Sequence, residues 1–463
     1  MMEKSRTGGE RPKQNRDFVL FETAREMAIK VLNRVERSDS YLDRVLDSEL
    51  RSPELSRMDK SFLTELVNGV IRWKMKLDYA ISQFYRGDFT KIEISIKNAL
   101  RVAVYQLMFL ERIPQSAIVN ETVEFVKKLR GQELGNQVNA VLRSMIRKIN
   151  DLEYPTIDED PVRALSTLHS FPAWLVRRFI DRFGVFETEQ ILTALNERPR
   201  LSVRVNPMRG SVERLVSEFE KCGVIVSPGK FIPNFLYVEG LSRIAELDAF
   251  RCGRFVVQDE SAGIVSLLLA PEPGERILDA CSAPGVKTTH ILELTRGNAH
   301  LTCIEKYDVR ARLVQSSLLR MGFGNAEVIV ADATTYTAPI LFDKILVDAP
   351  STGLGLIRRK PDSKWKREQE DIRLLNELQS AILENVSKLL KKDGIMVYST
   401  STIERQENQT IVSEFLNRNS EFVVEPADLL VDRALVGREG FVEIFPHRHE
   451  MDGGFAARLR KTA

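Results

Sequence analysis

Five short apolar segments in the C-terminal half constrain the fold more than any other feature of the sequence. They follow Arg254, helical stretches separate them, and they read RILDA, HLTCIE, AEVIVAD, KILVDAP and GIMVYST. This alternation predicts a mostly parallel sheet with helices on both faces. Ligands bind outside the carboxyl ends of the strands in such a sheet, so the residues at those ends are the first candidates for a functional site.

Residues 18–150 are predicted to be all-helical. In SRMDKSFLTELVNGVIRW the apolar residues form one stripe at helical spacing, and KNALRVAVYQLMFL is apolar enough for the central helix of a bundle. A solvated face and an RNA-contacting face explain the cations of the later helices equally well. These cations are Lys127, Lys128, Arg130, Arg143, Arg147 and Lys148.

The middle of the chain is of mixed character. The acidic linker DLEYPTIDEDP precedes a helix near Ala173 to Phe183, a strand in RPRLSVRVN, and an amphipathic helix that ends at Gly223. Together these patterns predict four regions along the chain. They are a basic tail (1–17), a helical domain (18–150), a linker with a small α+β subdomain (151–250), and the α/β domain (251–463).

Composition excludes several classes of protein. At 43% hydrophobic and 29% charged residues, the chain is globular, and it has no apolar run of the roughly 18 residues that span a bilayer. Its four cysteines lack CxxC spacing and its five histidines lack metal-ligand spacing. We therefore expect a reduced, cytoplasmic protein without a metal site. The net charge of +2 does not by itself indicate nucleic-acid binding.

The turn CSAPGVKTTHI follows the first predicted strand of the α/β domain. A glycine-containing turn between a strand and a helix lets the backbone approach a ligand, and the helix start adds free N–H groups. A P-loop is excluded because Val286 separates Gly285 from Lys287. A dinucleotide fingerprint is excluded because it requires three spaced glycines. The turn taken alone indicates a nucleoside ligand.

Acidic residues end the next three predicted strands. Glu305 can accept hydrogen bonds from ribose hydroxyls, while Asp332 and Asp348 follow the third and fourth strands. A single Asp at such a position is more often a helix cap. Three in succession after a glycine-containing turn favour an adenosine-containing ligand, either S-adenosylmethionine or a dinucleotide.

A basic loop, VDAPSTGLGLIRRKPDSKWKRE, follows the fourth strand. Cations interleaved with a tryptophan suit phosphate contact and base stacking, whereas the alternative is a solvated basic loop. Its position beside the candidate site favours nucleic acid. We expect RNA contacts here and in RPRLSVRVN from Arg200, Arg204, Arg358, Arg359, Lys364 and Trp365.

These motifs together resemble the bacterial Fmu/Sun family of 16S ribosomal RNA cytosine-C5 methyltransferases. The helical region is similar to NusB-type RNA-binding domains in LVNGVIRWKMKLDYAI, LRVAVYQLMFLERIP and VNAVLR. Further likeness lies in RPRLSVRVN, in VQDESAGIVSLLLAPEPGERILDACSAPGVKTTHI and in FPHRHEMDGGFAARLRK. The resemblance covers nearly the whole chain.

The resemblance implies a NusB-like domain, an RNA-recognition-like subdomain and a seven-stranded Rossmann-like methyltransferase sheet. It assigns Glu305 to the ribose of S-adenosylmethionine, Asp332 to the adenine, and Asp348 to the methionine end and the target base. It implies a 16S RNA or small-subunit assembly partner, and we expect a monomer. The cofactor turn would comprise Cys281, Ser282, Ala283, Pro284, Gly285, Val286 and Lys287.

The chain departs from the family at two positions. Ser351 and Ser401 stand where the family has cysteines. In the family, the cysteine at the position of Ser401 adds to cytosine C6 and activates C5, Asp348 assists at N3, and the cysteine at the position of Ser351 assists release. A thiol is a few per cent ionised at neutral pH, whereas serine requires a strong neighbouring base. We therefore expect slow or absent turnover.

Three interpretations remain open. In the first, the chain is a methyltransferase whose two cysteines were replaced; in the second, it is an inactive assembly factor that binds ribosomal RNA and cofactor. These two rank close together. Methylation of an exocyclic amine ranks well behind, because Asp348-Ala349-Pro350-Ser351 does not match the loop that this chemistry uses. A dehydrogenase is excluded by the missing glycines and by the RNA-binding resemblance.

Overall fold

The computed structural model describes residues 21–38, 40–53 and 55–463. The chain divides into two compact units, one that ends at Val176 and one that begins at Arg177. The predicted basic tail, residues 1–17, lies outside the described residues. Within those residues, no helix combines the length and the apolar character needed to cross a membrane.

The first unit is helical, as predicted. Its α-helices within the described ranges are α1 (Ala24–Arg37), α2 (Leu42–Leu50), α3 (Arg57–Ser82), α4 (Ile94–Phe109), α5 (Gln115–Arg130), α6 (Gln132–Lys148) and α7 (Pro161–His169). The nearly apolar helix α4 packs against α1, α3, α5 and α6, which confirms its central position. Its buried Arg101 is compensated by Asp78 and Glu36, each at 2.6 Å, because a buried charge requires partners.

The second unit contains a small antiparallel sheet in the order β2-β3-β1-β4. Helix α8 (Ala173–Asn196), which breaks at Gly184, leads into it. The other elements are β1 (Leu201–Val205), α9 (Val212–Lys221), β2 (Ile225–Pro228), β3 (Phe235–Glu239), α10 (Asp248–Arg251) and β4 (Phe255–Val257). The alternation in LSVRV confirms the predicted strand: Val203 and Val205 pack with apolar residues of α9, and Arg204 points the opposite way.

A larger sheet forms the rest of the second unit. Its strands are β5 (Arg276–Asp279), β6 (His300–Glu305), β7 (Glu327–Val330), β8 (Phe342–Asp348), β9 (Leu390–Thr400), β10 (Phe422–Val424), β11 (Val442–Ile444) and β12 (Gly454–Lys461). They lie in the order β10-β12-β9-β8-β5-β6-β7, and β11 pairs with β12. The five strands from β9 to β7 are parallel, as predicted, and β12 is antiparallel to its neighbours. The observed sheet has one strand more than the seven expected, and the additional strand is the short β11.

Helices cover both faces of this sheet. The helices of this part of the chain are α11 (Glu260–Leu269), α12 (Val286–Leu294), α13 (Asp308–Met321), α14 (Ser363–Lys366), α15 (Gln369–Ser387), α16 (Gln409–Arg418) and α17 (Pro446–His449). Along β8, Leu346 packs in one apolar cluster with residues of α11, α12 and α13, while Ile345 and Val347 pack in another with residues of α15 and α16. Burial on both faces explains why these strands are continuous apolar runs in the sequence.

The carboxyl ends of the parallel strands meet at one edge of the sheet. In the strand register, Asp279 of β5 lies opposite Leu346 of β8, and Asp348 of β8 lies opposite Ser399 of β9. Glu305 is the last residue of β6. The acidic residues that were predicted to form a ligand site because they end strands therefore lie along the same edge of the sheet.

Candidate active site at the carboxyl ends of the strands

The predicted cofactor turn joins β5 to α12, and its backbone is tightly held. The amide and the hydroxyl of Ser282 both donate to the carbonyl of Ile304, each at 3.1 Å. Gly285 has φ +98°, and a Cβ at this position would lie 3.2 Å from Val314 Cα. Glycine is therefore required both by the left-handed backbone and by the close approach to α13.

Lys287, in the first turn of α12, connects the cofactor turn to β8. Its Nζ lies 2.6 Å from Oδ2 of Asp348, and Oδ1 of Asp348 accepts a 2.9 Å hydrogen bond from the Ser399 hydroxyl. The Lys287 side chain is 11% exposed, so water screens this ion pair only partly. The structure thus brings the turn, the end of β8 and the end of β9 together around one carboxylate.

Glu305 and Asp332 occupy different environments. The buried Glu305 accepts a 3.2 Å hydrogen bond from the amide of Tyr307, and Arg310 lies 3.6 Å away. Asp332 is more exposed and accepts from Lys306 at 2.8 Å and from the Thr334 amide and hydroxyl. Lys306 and these hydrogen bonds lower the pKa of Asp332 to about 2. Asp332 therefore organises a turn, as a capping residue does, and also presents a carboxylate at the sheet edge.

The loops that carry Ser351 and Ser401 lie side by side. The hydroxyl oxygens of Thr352 and Thr402 are 3.1 Å apart, and the amide of Gly355 donates to the carbonyl of Ser401 at 3.1 Å. Ser351 and Ser401 are both partly exposed. The structure thus brings the loops of Ser351 and Ser401 together.

The four hydroxyls of STST, residues 399–402, have different environments. Ser399, Thr400 and Thr402 are buried, and their hydroxyls contact Asp348, Asn408 and Thr352, respectively. Thr402 also accepts from the amide of Glu404, which is a capping-type contact. Ser401 is the one member of this run with partial solvent exposure. It is therefore the member best placed to meet a substrate.

His447 and His449, the histidines of the C-terminal segment FPHRHEMDGG, are candidate bases for Ser401, but both have partners elsewhere. His447 lies 3.2 Å from Glu187, and burial lowers its pKa. Nδ1 of His449 accepts from the Phe445 amide at 3.0 Å, and Nε2 lies 3.2 Å from the Ala434 carbonyl. Burial also lowers the pKa of His449. These contacts give no support to either histidine as the base for Ser401.

Two carboxyl groups near the site escaped prediction. Asp279 is buried, accepts from the Thr288 hydroxyl at 2.6 Å, and has an Oδ1 without a hydrogen-bond partner in the described chain. Burial raises its pKa to about 7. Glu407 is buried, holds the amide of Thr352 at 2.8 Å, and has its pKa raised by burial. Asp279 is the last residue of β5, so the rule that selected the other strand-end acids could also have predicted it. No sequence pattern identifies Glu407 as a functional residue.

Burial corrects part of the predicted RNA surface in the loop after β8. The side chain of Arg358 lies inside the protein and donates to the carbonyls of Glu450 and Met451. Lys364 is fully buried and donates to Asn196 at 3.1 Å. Arg359 is partly buried between Asp452 and Asp259. These cations therefore hold the loop in place. Trp365 in the same loop has a partly exposed side chain.

The small sheet also differs from the expected RNA surface. The guanidinium of Arg204 is fully buried and pairs with Glu293 of α12, so it does not reach solvent. Arg200 retains 54% exposure of its side chain. Residues of β1 and β3 are buried on both faces, one side against α9 and the other against α11 and α12. Bases therefore have no open sheet face here on which to stack.

A close contact between two glycines holds the loop after β8 against the segment before β12. The amide of Gly453 donates to the carbonyl of Gly355 at 2.9 Å, and a Cβ on Gly355 would overlap the backbone of Gly453. We expect Gly355→Ala to destabilise the second unit by about 1–3 kcal/mol, because neither backbone can yield without disturbing the Ser401 loop.

Hydrogen exchange of the β9 amides in increasing urea measures this effect. Gly324→Ala is the matched control, because a Cβ there meets no heavy atom within 4 Å. Equal stability of the two variants would contradict the proposed tight contact.

Comparisons with known proteins agree with this architecture. A family model described as 16S rRNA methyltransferase RsmB/F matches residues 266–460. A NusB family model matches 22–147, and a ferredoxin-like domain model of the RsmF/B-like methyltransferases matches 171–244. The predicted succession of a NusB-like domain, a small α+β subdomain and a Rossmann-like domain is thereby confirmed.

Similar proteins cover nearly the full chain. The probable ribosomal RNA small subunit methyltransferase B of Bacillus subtilis (strain 168) is 34% identical, over 95% of this chain and 99% of its own. Ribosomal RNA small subunit methyltransferase B of Yersinia enterocolitica is also 34% identical, over 94% and 98%. The solved structure of PH0851 has a TM-score of 0.78 and 26% identity, over 95% and 98%. The chain belongs to the RsmB/F family of S-adenosylmethionine-dependent 16S rRNA methyltransferases.

Proposed function

We propose that this chain acts on C5 of a single cytosine in 16S ribosomal RNA, with Ser401 at the position of the nucleophile. The observation that carries the proposal is the convergence at one sheet edge. Lys287 of the cofactor turn contacts Asp348 at 2.6 Å, and the loops of Ser351 and Ser401 touch through Thr352 and Thr402 at 3.1 Å. These contacts support the proposal that the cofactor turn, Asp348 and residue 401 act on one bound base.

The residues at the edge fit S-adenosylmethionine. The unpartnered Oδ1 of the buried Asp279 lies at the base of the turn, the φ of Gly285 gives close backbone approach, and two carboxylates follow β6 and β7. We assign Glu305 to the ribose and Asp332 to the adenine. When bound, S-adenosylmethionine supplies an electrophilic methyl group. The backbone of the turn is assigned to cofactor contact through Cys281, Ser282, Ala283, Pro284, Gly285, Val286 and Lys287.

The side chains around Asp348 perform the proposed chemistry on the base. Asp348, oriented by Lys287 and Ser399, hydrogen-bonds N3 of the cytosine as negative charge develops on the ring. The side chain at position 401 loses its proton and adds to C6, which makes C5 nucleophilic toward the methyl group. The C5 proton is then lost to a base and the bond between C6 and residue 401 breaks, and the side chain at 351 assists this release. A serine hydroxyl requires a strong neighbouring base, and His447 and His449 are held by other partners, so addition to C6 is slow. The target base must leave its stack to reach this edge.

Further assignments accompany this function. Arg200 and Trp365 remain proposed RNA contacts, because both side chains retain exposure. Arg359 has a smaller role in RNA contact, since two carboxylates already hold it. We propose that the chain works as a monomer in the cytoplasm, with divisions near residues 150 and 250.

A second candidate function is that of an inactive assembly factor. The observation in its favour is that serines stand at 351 and 401, where the family resemblance implies cysteines, while the cofactor turn and Asp348 are present. In this case the chain binds ribosomal RNA and cofactor without transferring the methyl group.

A methyl-transfer assay separates the two functions. Purified chain is incubated with 16S RNA from cells that lack this modification and with tritiated S-adenosylmethionine, and bisulfite sequencing locates 5-methylcytosine. Slow incorporation at one cytosine supports the methyltransferase. RNA and cofactor binding without incorporation, even after cysteines are restored at 351 and 401, supports the assembly factor.

Asp332→Ala should weaken S-adenosylmethionine binding about 10- to 100-fold, because the adenine loses a charged hydrogen-bond acceptor. Isothermal titration calorimetry measures the Kd. Asp308→Ala is the control: Asp308 is an exposed acid of the neighbouring α13 that pairs with Arg312. An unchanged Kd for Asp332→Ala would remove Asp332 from the cofactor site.

A further inference from the structure

Arg204 makes an unusually complete set of contacts for an arginine without solvent exposure. Its Nε and Nη2 donate to the two carboxylate oxygens of Glu293 at 2.8 and 2.9 Å. Nη2 also donates to the Thr289 hydroxyl at 2.9 Å, and Nη1 donates to the carbonyl of Val286 at 2.9 Å and to Gln258. One guanidinium on β1 therefore contacts the whole length of the first two turns of α12.

The contact with Val286 is the significant one. Val286 is the first residue of α12 and directly follows Gly285 in the cofactor turn. A guanidinium has a rigid planar fork of donors, so fixing it on Glu293 also fixes where it meets the Val286 carbonyl. The position of the turn thus depends on a side chain from the small sheet.

The small sheet has a second connection to the helices around the site. The side-chain amide of Asn206, two residues after Arg204, donates to the carbonyls of Gly253 and Met321 at 3.0 and 3.2 Å. Met321 ends α13, the helix against which Gly285 packs. Arg204 and Asn206 therefore connect β1, an inner strand of the small sheet, and the residue after it to both helices that border the cofactor turn.

Stability alone is a weak explanation for the Arg204–Glu293 pair. Burying two charges costs desolvation free energy that their attraction barely offsets, and apolar replacement of such pairs is often neutral or stabilising. We infer that Arg204 is a positioning residue that holds the start of α12 in the geometry required for cofactor binding, so that the small sheet is a support for the cofactor turn. This inference rests on the proposed cofactor site at residues 281–287.

The test uses full-length variants and calorimetry with S-adenosylmethionine. Arg204→Met/Glu293→Met removes both charges and should fold, whereas Arg204→Lys retains a charge for Glu293 but loses the fork. We expect both to weaken binding about tenfold, because the turn loses its support. Arg214→Met is the matched control: it removes an exposed arginine of α9, which packs on the same small sheet, and should leave the Kd unchanged.

Thermal unfolding and hydrogen exchange distinguish positioning from general stability. We expect faster exchange of the amides of 281–290 in the double variant, with unchanged exchange in β9 and a Tm close to that of the parent. A folded double variant with the parent's Kd would overturn the inference. If neither Arg204 variant folds, Thr289→Val tests the inference, because it removes one acceptor of the Arg204 guanidinium. We expect this variant to bind S-adenosylmethionine about threefold more weakly than the parent. A Kd within experimental error of the parent's would overturn the inference. Failure of the parent chain to bind S-adenosylmethionine would instead contradict the proposed cofactor site.

Discussion

Introducing cysteine at both positions, Ser351→Cys/Ser401→Cys, should raise the rate of methyl transfer to 16S RNA by at least about 100-fold. A thiol at residue 401 supplies a few per cent of thiolate at neutral pH, whereas a serine hydroxyl without a supporting base supplies almost no nucleophile. A thiol at residue 401 would be accessible to a substrate, because this residue is partly exposed and its loop lies beside the loop of Ser351. Single-turnover incorporation of the tritiated methyl group measures the rate.

The single variants sharpen this prediction. Ser401→Cys alone should add to the RNA but release it slowly, so a covalent RNA–protein complex should accumulate on denaturing gels. Ser351→Cys alone should leave the parent's rate unchanged, because the nucleophile is still absent. Equal rates for the parent and the double cysteine variant would show that Ser401 is not the position that limits the reaction.

Asp348→Asn in the double cysteine background should lower the transfer rate by about 100- to 10,000-fold. Asparagine keeps the shape of the side chain but cannot transfer a proton to or from the base, and positioned acid–base groups contribute about this much. Loss of the carboxylate also removes the negative charge that pairs with Lys287 at 2.6 Å. The RNA Kd should change little if the role of Asp348 is chemical.

Asp343→Asn is the matched control for this variant. Asp343 lies at the opposite end of the same strand and pairs with Lys391 at 2.6 Å. Its replacement should leave the rate of transfer unchanged. A comparable loss of rate in both variants would mean that Asp348 acts through the stability of β8.

The fold and the centre of the site could be predicted because they depend on local patterns. Short apolar strands between helices predict a parallel sheet, and the ends of such strands meet at one edge. Glu305 and Asp348 are confirmed there as the terminal residues of β6 and β8. The position of Ser401 beside Ser351 follows from the pairing of β8 with β9.

The surface could not be predicted in the same way. Arg204 and Lys364 were predicted to be exposed cations because their partners are distant in sequence. Glu293 lies 89 residues from Arg204, and Asn196 lies 168 residues from Lys364. A local pattern of charge carries no information about such partners. The buried Glu407 was missed for the same reason, since its role depends on Thr352, which is 55 residues away.

Covalent trapping at residue 401 tests the central claim most directly. In 5-fluorocytidine-substituted 16S RNA, fluorine replaces the C5 proton whose removal must precede elimination, so an adduct at C6 cannot be released. Mass spectrometry of the digested Ser401→Cys protein, incubated with this RNA and S-adenosylmethionine, should find the nucleotide on the peptide that contains residue 401. An adduct on another residue, or rapid methylation of normal RNA without any adduct, would contradict the account.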